Sequence, residues 1–139
     1  MLGAELVVNT LRNANVKHIF ALSGNQIMPI FDACIDAGIA IYHVRHEAAA
    51  AYMADAYAQL TGEIGVALVT AGPGFANSLS PLYSAKLAES PVLLLSGDSP
   101  RAADGQNAFQ ELDQVSASSP VTKYSCRSKG VDTISKEIA

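Results

Sequence analysis

The sequence predicts an α/β domain, a doubly wound parallel sheet with helices on both faces. Three observations carry that reading. Apolar runs of strand length, at residues 18–22, 39–44, 64–70 and 91–96, alternate with helical stretches along the whole chain. The third and fourth runs are continuously apolar, as expected of strands covered on both sides. Strands that alternate with helices pair in parallel, and right-handed crossovers distribute the helices over both faces.

Each element follows from local chemistry. Leu2, Leu6, Val7, Leu11 and Ala14 recur at helical spacing, so residues 3–14 form an amphipathic helix. His18 to Leu22 is a buried strand that breaks at the Ser23-Gly24-Asn25 turn. A second helix runs over residues 26–36, with Pro29 tolerated in its first turn and Gly38 closing it. Ile39 to Val44 is the next strand, and it leads into a helix that starts at Glu47 and ends at Gly62. The strand 64–70 stops at Ala71-Gly72-Pro73-Gly74-Phe75-Ala76-Asn77, and a helix over 78–88 follows. Pro91 to Ser96 repeats the buried-strand pattern before a polar loop over 97–107. Near the end, Asp132 is placed as an N-cap, with Ile134 and Ile138 starting an apolar stripe. We expect one domain over residues 1–125 and the start of a linker or further helix over 126–139, interrupted at Ala139.

Composition narrows the function. Half of the 139 residues are apolar, 16% are charged and the net charge is −4, so no basic stripe is offered to nucleic acid. No apolar run reaches the roughly 18 residues of a membrane span. Cys34 and Cys126 match no metal-ligand spacing, and no metal site is expected within this chain. Together these features read as a reduced, soluble, cytoplasmic protein whose partners are small molecules and protein surfaces.

Ligands of parallel sheets gather at the C-terminal ends of the strands, and the turns at Gly24, Glu47, Gly72 and Gly97 fall on that edge. Gly72-Pro73-Gly74 invites comparison with phosphate loops, but no Lys-Ser/Thr pair follows it. The third glycine of a dinucleotide fingerprint would also fall at Asn77. A ligand wall and a tight structural turn are equally open readings of it. Glu47 opens a helix of small residues and has no long neighbour within that helix to pair with. A favourable position at the helix dipole, worth about 0.3–1 kcal/mol, would suffice to explain many such glutamates, and Arg45 or His46 could pair with it. Ala48, Ala50, Ala51, Ala54 and Ala58, however, form a smooth face that another backbone or subunit can approach closely. A carboxylate beside such a face tends to be dehydrated, which suits it to proton transfer.

Three stretches, in order and at natural spacing, carry a family resemblance. They are residues 45–58 (Arg-His-Glu-Ala-Ala-Ala-Ala-Tyr-Met-Ala-Asp-Ala-Tyr-Ala) with Thr61-Gly62, then Gly72-Pro73-Gly74 with Asn77, then Ala108-Phe109-Gln110-Glu111. From the first helix to about Lys123 the chain resembles the pyrimidine-binding domain of thiamine diphosphate enzymes of the acetolactate synthase and 2-oxoacid decarboxylase group. The resemblance implies the thiamine diphosphate-binding fold of pyrimidine type, with Glu47 hydrogen-bonding a ring nitrogen of the cofactor's pyrimidine and so promoting loss of the thiazolium proton. It implies that Gly24, Gly72, Pro73, Gly74 and Asn77 line the aminopyrimidine pocket. Phe109 and Gln110 match residues that approach substrate, and Lys123 matches a lysine near substrate or an auxiliary flavin. Core packing for Phe109, helix capping for Gln110 and a solvated surface for Lys123 stay open.

It further implies that the diphosphate and its Mg2+ are held by another domain, because the chain has no Gly-Asp-Gly motif of that kind: Gly97-Asp98 continues into Ser99-Pro100. FAD is compatible and undetermined. The expected assembly is a homodimer or tetramer with the site shared between subunits, acting on a 2-oxoacid by decarboxylation or carboligation, and the 139-residue chain alone is expected to be inactive. The first loop, Leu22-Ser23-Gly24-Asn25, departs from the acetolactate synthase pattern of a proline and two glycines. A decarboxylase, a carboligase or an acyl-CoA lyase of the superfamily is therefore also compatible. Two other readings are a stand-alone small subunit of a two-chain sulfopyruvate or phosphonopyruvate decarboxylase, and a non-catalytic interaction domain of the same fold.

Overall fold

A computed structural model describes residues 2–139. The elements, in chain order, are α1 (Gly3–Asn13), β1 (His18–Ala21), α2 (Met28–Ala37), β2 (Ala40–His43), α3 (Glu47–Thr61), β3 (Gly65–Val69), α4 (Pro73–Ala76), α5 (Leu79–Leu87), β4 (Val92–Ser96), α6 (Gln114–Ser118) and α7 (Ile134–Ile138). Short 3-10 turns occupy Asn25–Ile27, Arg101–Ala103 and Ser119–Val121.

The four strands form one parallel sheet in the order β2-β1-β3-β4. In register, Ile19 sits beside Val66, Phe20 beside Ala67 and Ala21 beside Leu68. Because strand side chains alternate between faces, Ile19, Ala21, Val66 and Leu68 enter one core with Val7, Val8 and Leu11 of α1 and with Ile27 and Cys34. Phe20 and Ala67 enter the other core, under Ala50, Ala51 and Ala54 of α3. Helices therefore cover both faces, as the continuously apolar strands required. The chain leaves β1 towards β2 in one direction and β3 towards β4 in the other. The crossover direction thus reverses between β1 and β3, the topological switch point where ligands of such sheets bind.

Of the two neighbours expected for the alanine face of α3, a backbone or a subunit, it meets a backbone, that of its own sheet. Ala50, Ala51, Ala54 and Ala58 are buried. A Cβ at Gly65 would collide with the Ala54 carbonyl oxygen, so α3 lies directly on its own sheet and the small residues permit that contact. What α3 turns outward is a stripe of Ala49, Tyr52, Met53, Ala56 and Leu60.

Two boundaries also differ. The helix expected over 78–88 is α5, but the stretch before it, expected as a turn, carries the short helix α4, and the two adjoin at the buried Ser78, whose Oγ donates to the Gly74 carbonyl at 3.2 Å. The N-cap of α7 is Thr133, not Asp132. The C-terminal segment folds back on the domain: Ile134 and Ile138 pack against the α1 core. Arg127 pairs with Asp98 at 2.6 Å and Asp104 at 2.8 Å and donates to the Ser99 carbonyl at 3.0 Å. Among the described residues, no helix is long and apolar enough to cross a membrane.

Candidate functional site

The site begins where β2 hands the chain to α3. His46 adopts an extended backbone, φ −155° and ψ 138°, and its Nδ1 accepts from the Ala48 N–H at 3.1 Å. His46 is thereby the N-cap, which makes Glu47 the first residue of α3 and aims it along the C-terminal edge of the sheet. Glu47 is half-buried. Its Oε2 accepts from Asn77 Nδ2 at 2.9 Å, a partner 30 residues away. The other oxygen, Oε1, lies against the Gly72-Pro73-Gly74 turn, where a Cβ on Gly74 would stand 3.2 Å from it. One oxygen is thus anchored by an amide and the other faces the glycine turn.

The glycines of this edge let three loops meet. Thr70, at the end of β3, abuts the backbone of Gly24 in the loop after β1, and a Cβ on Gly74 would stand 2.7 Å from Thr70 Cγ2. Gly72 has φ +56°, a conformation that favours glycine, and a Cβ there would lie 2.7 Å from the Gln110 carbonyl oxygen. The loop after β4 is accordingly packed onto the loop after β3.

Gln110 itself has φ +62°. Its Oε1 accepts from Gln26 Nε2 at 2.8 Å, while Thr70 Oγ1 donates to Gln26 Oε1. Glu111 steadies the same loop by accepting from the Ala108 N–H at 2.9 Å, and Asp113, not Gln110, caps α6 through the Ser116 N–H at 3.1 Å. Phe109 is 77% exposed, which removes it from the core.

The fold therefore brings together Glu47, Asn77, Gly72, Pro73 and Gly74, with Gly24 and Gln110 adjoining through Thr70, Gln26 and Gly72. Lys123 stands apart: it is exposed and lines a recess of about 100 Å³ with Val115, Thr122 and Tyr124. A cavity of about 250 Å³ lined by Asn15, Lys17, His18, Tyr57 and Glu63 lies at the opposite edge and contains none of the predicted site residues. Gln26 and Thr70 were not singled out from the sequence. Their one sequence signal is position: Thr70 directly follows a buried strand, and Gln26 lies in the turn between β1 and α2. Among the described residues, no group of three or more His, Cys, Asp or Glu side chains comes together to hold a metal ion.

Comparison with known proteins places this geometry in context. The family model described as "Thiamine pyrophosphate enzyme, N-terminal TPP binding domain" matches residues 1–117. The chain is similar to 2-hydroxyacyl-CoA lyase 2 of Danio rerio, 45% identical over 122 residues that cover 88% of this chain and 20% of the relative. It is also similar to the acetolactate synthase large subunit of Buchnera aphidicola subsp. Schizaphis graminum (strain Sg), 40% identical over 134 residues, 95% of this chain and 23% of the relative. A third relative is the catabolic acetolactate synthase of Raoultella terrigena, 39% identical over 137 residues, 99% of this chain and 24% of the relative. The chain spans about a fifth of the length of the curated relatives it matches first.

Proposed function

The chain belongs to the thiamine pyrophosphate enzyme family, matching its N-terminal cofactor-binding domain, and from that premise we propose that it supplies the aminopyrimidine half of a thiamine diphosphate site with Glu47 as the proton-relay acid. The observation that carries this reading is the Glu47–Asn77 pair at 2.9 Å beside the glycine turn. The residues fit the group. What supports the fit is a carboxylate held at one oxygen by Asn77 and lying with the other against the glycine turn, an acid placed where the edge of a flat heteroaromatic ring could meet it.

When bound, thiamine diphosphate would supply an acidic thiazolium carbon and an electron sink for negative charge developing at a substrate's carbonyl carbon. The chain's own contribution is proton management. Asn77 fixes Glu47 through Oε2, so that Oε1 can exchange a proton with a pyrimidine ring nitrogen without swinging away. His46 holds the helix terminus that carries both. The diphosphate and its Mg2+ are assigned to a further domain, and the complete site to two subunits that meet across the outward face of α3.

For the whole enzyme we propose carbon–carbon bond chemistry on a 2-oxoacid, decarboxylation or carboligation of the acetolactate synthase kind. A second reading, cleavage of a 2-hydroxyacyl-CoA, is supported by the 45% identity to such a lyase and by the departure of Leu22-Ser23-Gly24-Asn25 from the synthase pattern. Turnover of pyruvate against a 2-hydroxyacyl-CoA by the full-length enzyme separates the two.

The proton-relay role is tested on the full-length enzyme by hydrogen–deuterium exchange at the thiazolium carbon. Glu47→Gln should slow exchange by about a hundredfold or more while cofactor is still bound. An unchanged rate removes Glu47 from the reaction.

A further inference from the structure

The stretch after α6 grips the loop that follows β4. One guanidinium, that of Arg127, reaches three groups in this loop: Nε pairs with Asp98 Oδ2 at 2.6 Å, Nη1 with Asp104 Oδ2 at 2.8 Å, and Nη2 donates to the Ser99 carbonyl at 3.0 Å. Arg101 of the loop donates in return to the Lys129 carbonyl. The planar fork of an arginine has fixed donor directions, so three acceptors held at once fix its position as well as its charge. The side chains of Arg127 and Asp98 are 34% and 25% exposed, and ions partly shielded from water keep more of their attraction than a fully solvated pair.

What is gripped is the loop that reaches the site. Asp98 follows directly on β4 and turns its other oxygen to the Ser99 N–H at 2.7 Å. Asp104 precedes Gly105, whose N–H donates to Glu111 Oε1, while Glu111 Oε2 accepts from the Ala108 N–H at 2.9 Å. Within that brace Asn107 and Gln110 hold φ +55° and +62°, left-handed conformations that persist where their surroundings impose them. The backbone of Gln110 is pressed against Gly72, and Gly74, two residues on, borders Glu47 Oε1. From Arg127 to Glu47, therefore, every step is a bonded or touching neighbour.

We propose that Arg127 is a positioning residue for the reaction: by clamping Asp98, Ser99 and Asp104 it holds the loop after β4 against the glycine turn and so keeps that turn in place beside Glu47. This rests on the function proposed above and adds a residue remote from the reacting atoms, in the stretch that the sequence reads as the start of a linker. Arg127 has to touch neither cofactor nor substrate. The fork is essential to the clamp, because a lysine is a point charge that cannot serve two carboxylates and a carbonyl in this geometry.

The test uses the full-length enzyme saturated with thiamine diphosphate and Mg2+. Amide exchange is read at Gly105 and Ala108, whose N–H groups close the brace, and thiazolium exchange is read by NMR. Arg127→Met, which keeps the apolar stem and removes the fork, should speed amide exchange at both positions about tenfold and leave the amides of β3 and β4 within about twofold of wild type. It should slow thiazolium exchange about tenfold, the effect of a small displacement of an acid that remains present. In a background of Asp98→Asn with Asp104→Asn, the same change should add little, because the clamp is already open.

Arg127→Lys is the second variant, in case the methionine disturbs folding. It retains the charge and should still move both readouts in the same directions, about threefold each. A merely structural role predicts a lower thermal midpoint with thiazolium exchange at the wild-type rate in the folded, saturated enzyme.

The proposal is overturned by that result, by wild-type values of either readout in both Arg127 variants, or by losses that simply add when Arg127→Met is combined with the two asparagine changes. Failure of the underlying function shows separately, as thiazolium exchange that Glu47→Gln does not slow.

Discussion

At the scale of single residues, the site depends on side chains held by partners distant in sequence. Glu47 was recognisable in the sequence because it opens a helix directly after a strand, which is a local signal. Its partner Asn77 lies 30 residues on, and the Gln26 bonds reach 44 and 84 residues along the chain. No spacing rule reports such pairs, since only the completed sheet brings the strand ends together. Asn77→Ala should therefore slow thiazolium exchange less than Glu47→Gln does, by roughly tenfold, because it frees the carboxylate without removing it.

Cys34 gives a second prediction. Burial pushes its thiol from 9.0 up to about 11. A folded value raised above the unfolded one contributes stability that is complete below pH 9 and lost as pH climbs towards 11, on the order of 1–3 kcal/mol in all. Denaturant midpoints should fall over that interval in the wild-type chain and less so in Cys34→Ala, measured relative to each protein's value at pH 8. In the folded protein, iodoacetamide should modify the exposed Cys126 and spare Cys34.

At the scale of elements, the strands were the most readable part of the sequence. A run such as Gly65–Val69, buried at every position, has no amphipathic alternative. α3 was half readable. Small residues at helical spacing announce a close approach without saying to what, and here it is to the helix's own sheet. Gly65→Ala should consequently be more disruptive than most alanine substitutions, costing about 3 kcal/mol or more by forcing β3 off the Ala54 carbonyl, as thermal unfolding would show.

The outward stripe of α3 is a different matter: Tyr52 is 47% exposed and Leu60 86%. Under the proposed assembly, Tyr52→Glu combined with Leu60→Glu should move the full-length enzyme to smaller species in sedimentation and abolish turnover. Retention of both mass and activity would exclude that face. A smaller effect attaches to α6. The Ser116 hydroxyl, and then its N–H, hold the Asp113 carboxyl below its ordinary 3.8. A depressed folded value stabilises at neutral pH and is lost as pH falls through it. The protection of the Ser116 amide, measured against its intrinsic exchange rate at each pH, should therefore fall below about pH 4, ahead of global unfolding.

At the scale of the whole molecule, the parallel order β2-β1-β3-β4 collects the ends of all four strands on one edge, and everything chemical discussed above sits there. That edge could be foreseen, because four turns with small or polar residues follow four apolar runs. The opposite face of the sheet carries a quieter feature. Gly3 touches Ile134, and the first and last helices lie side by side over the core that faces away from α3. α1 and α7 are thus neighbours, on the side remote from the outward stripe. A short linker should join residue 2 to residue 139 without strain, and the ring could be reopened in the exposed turn at Thr61–Ile64. Such a rearranged chain should fold with its far-ultraviolet spectrum intact and with the strand-end edge around Glu47 and Asn77 unchanged, since neither the new link nor the new opening lies on it.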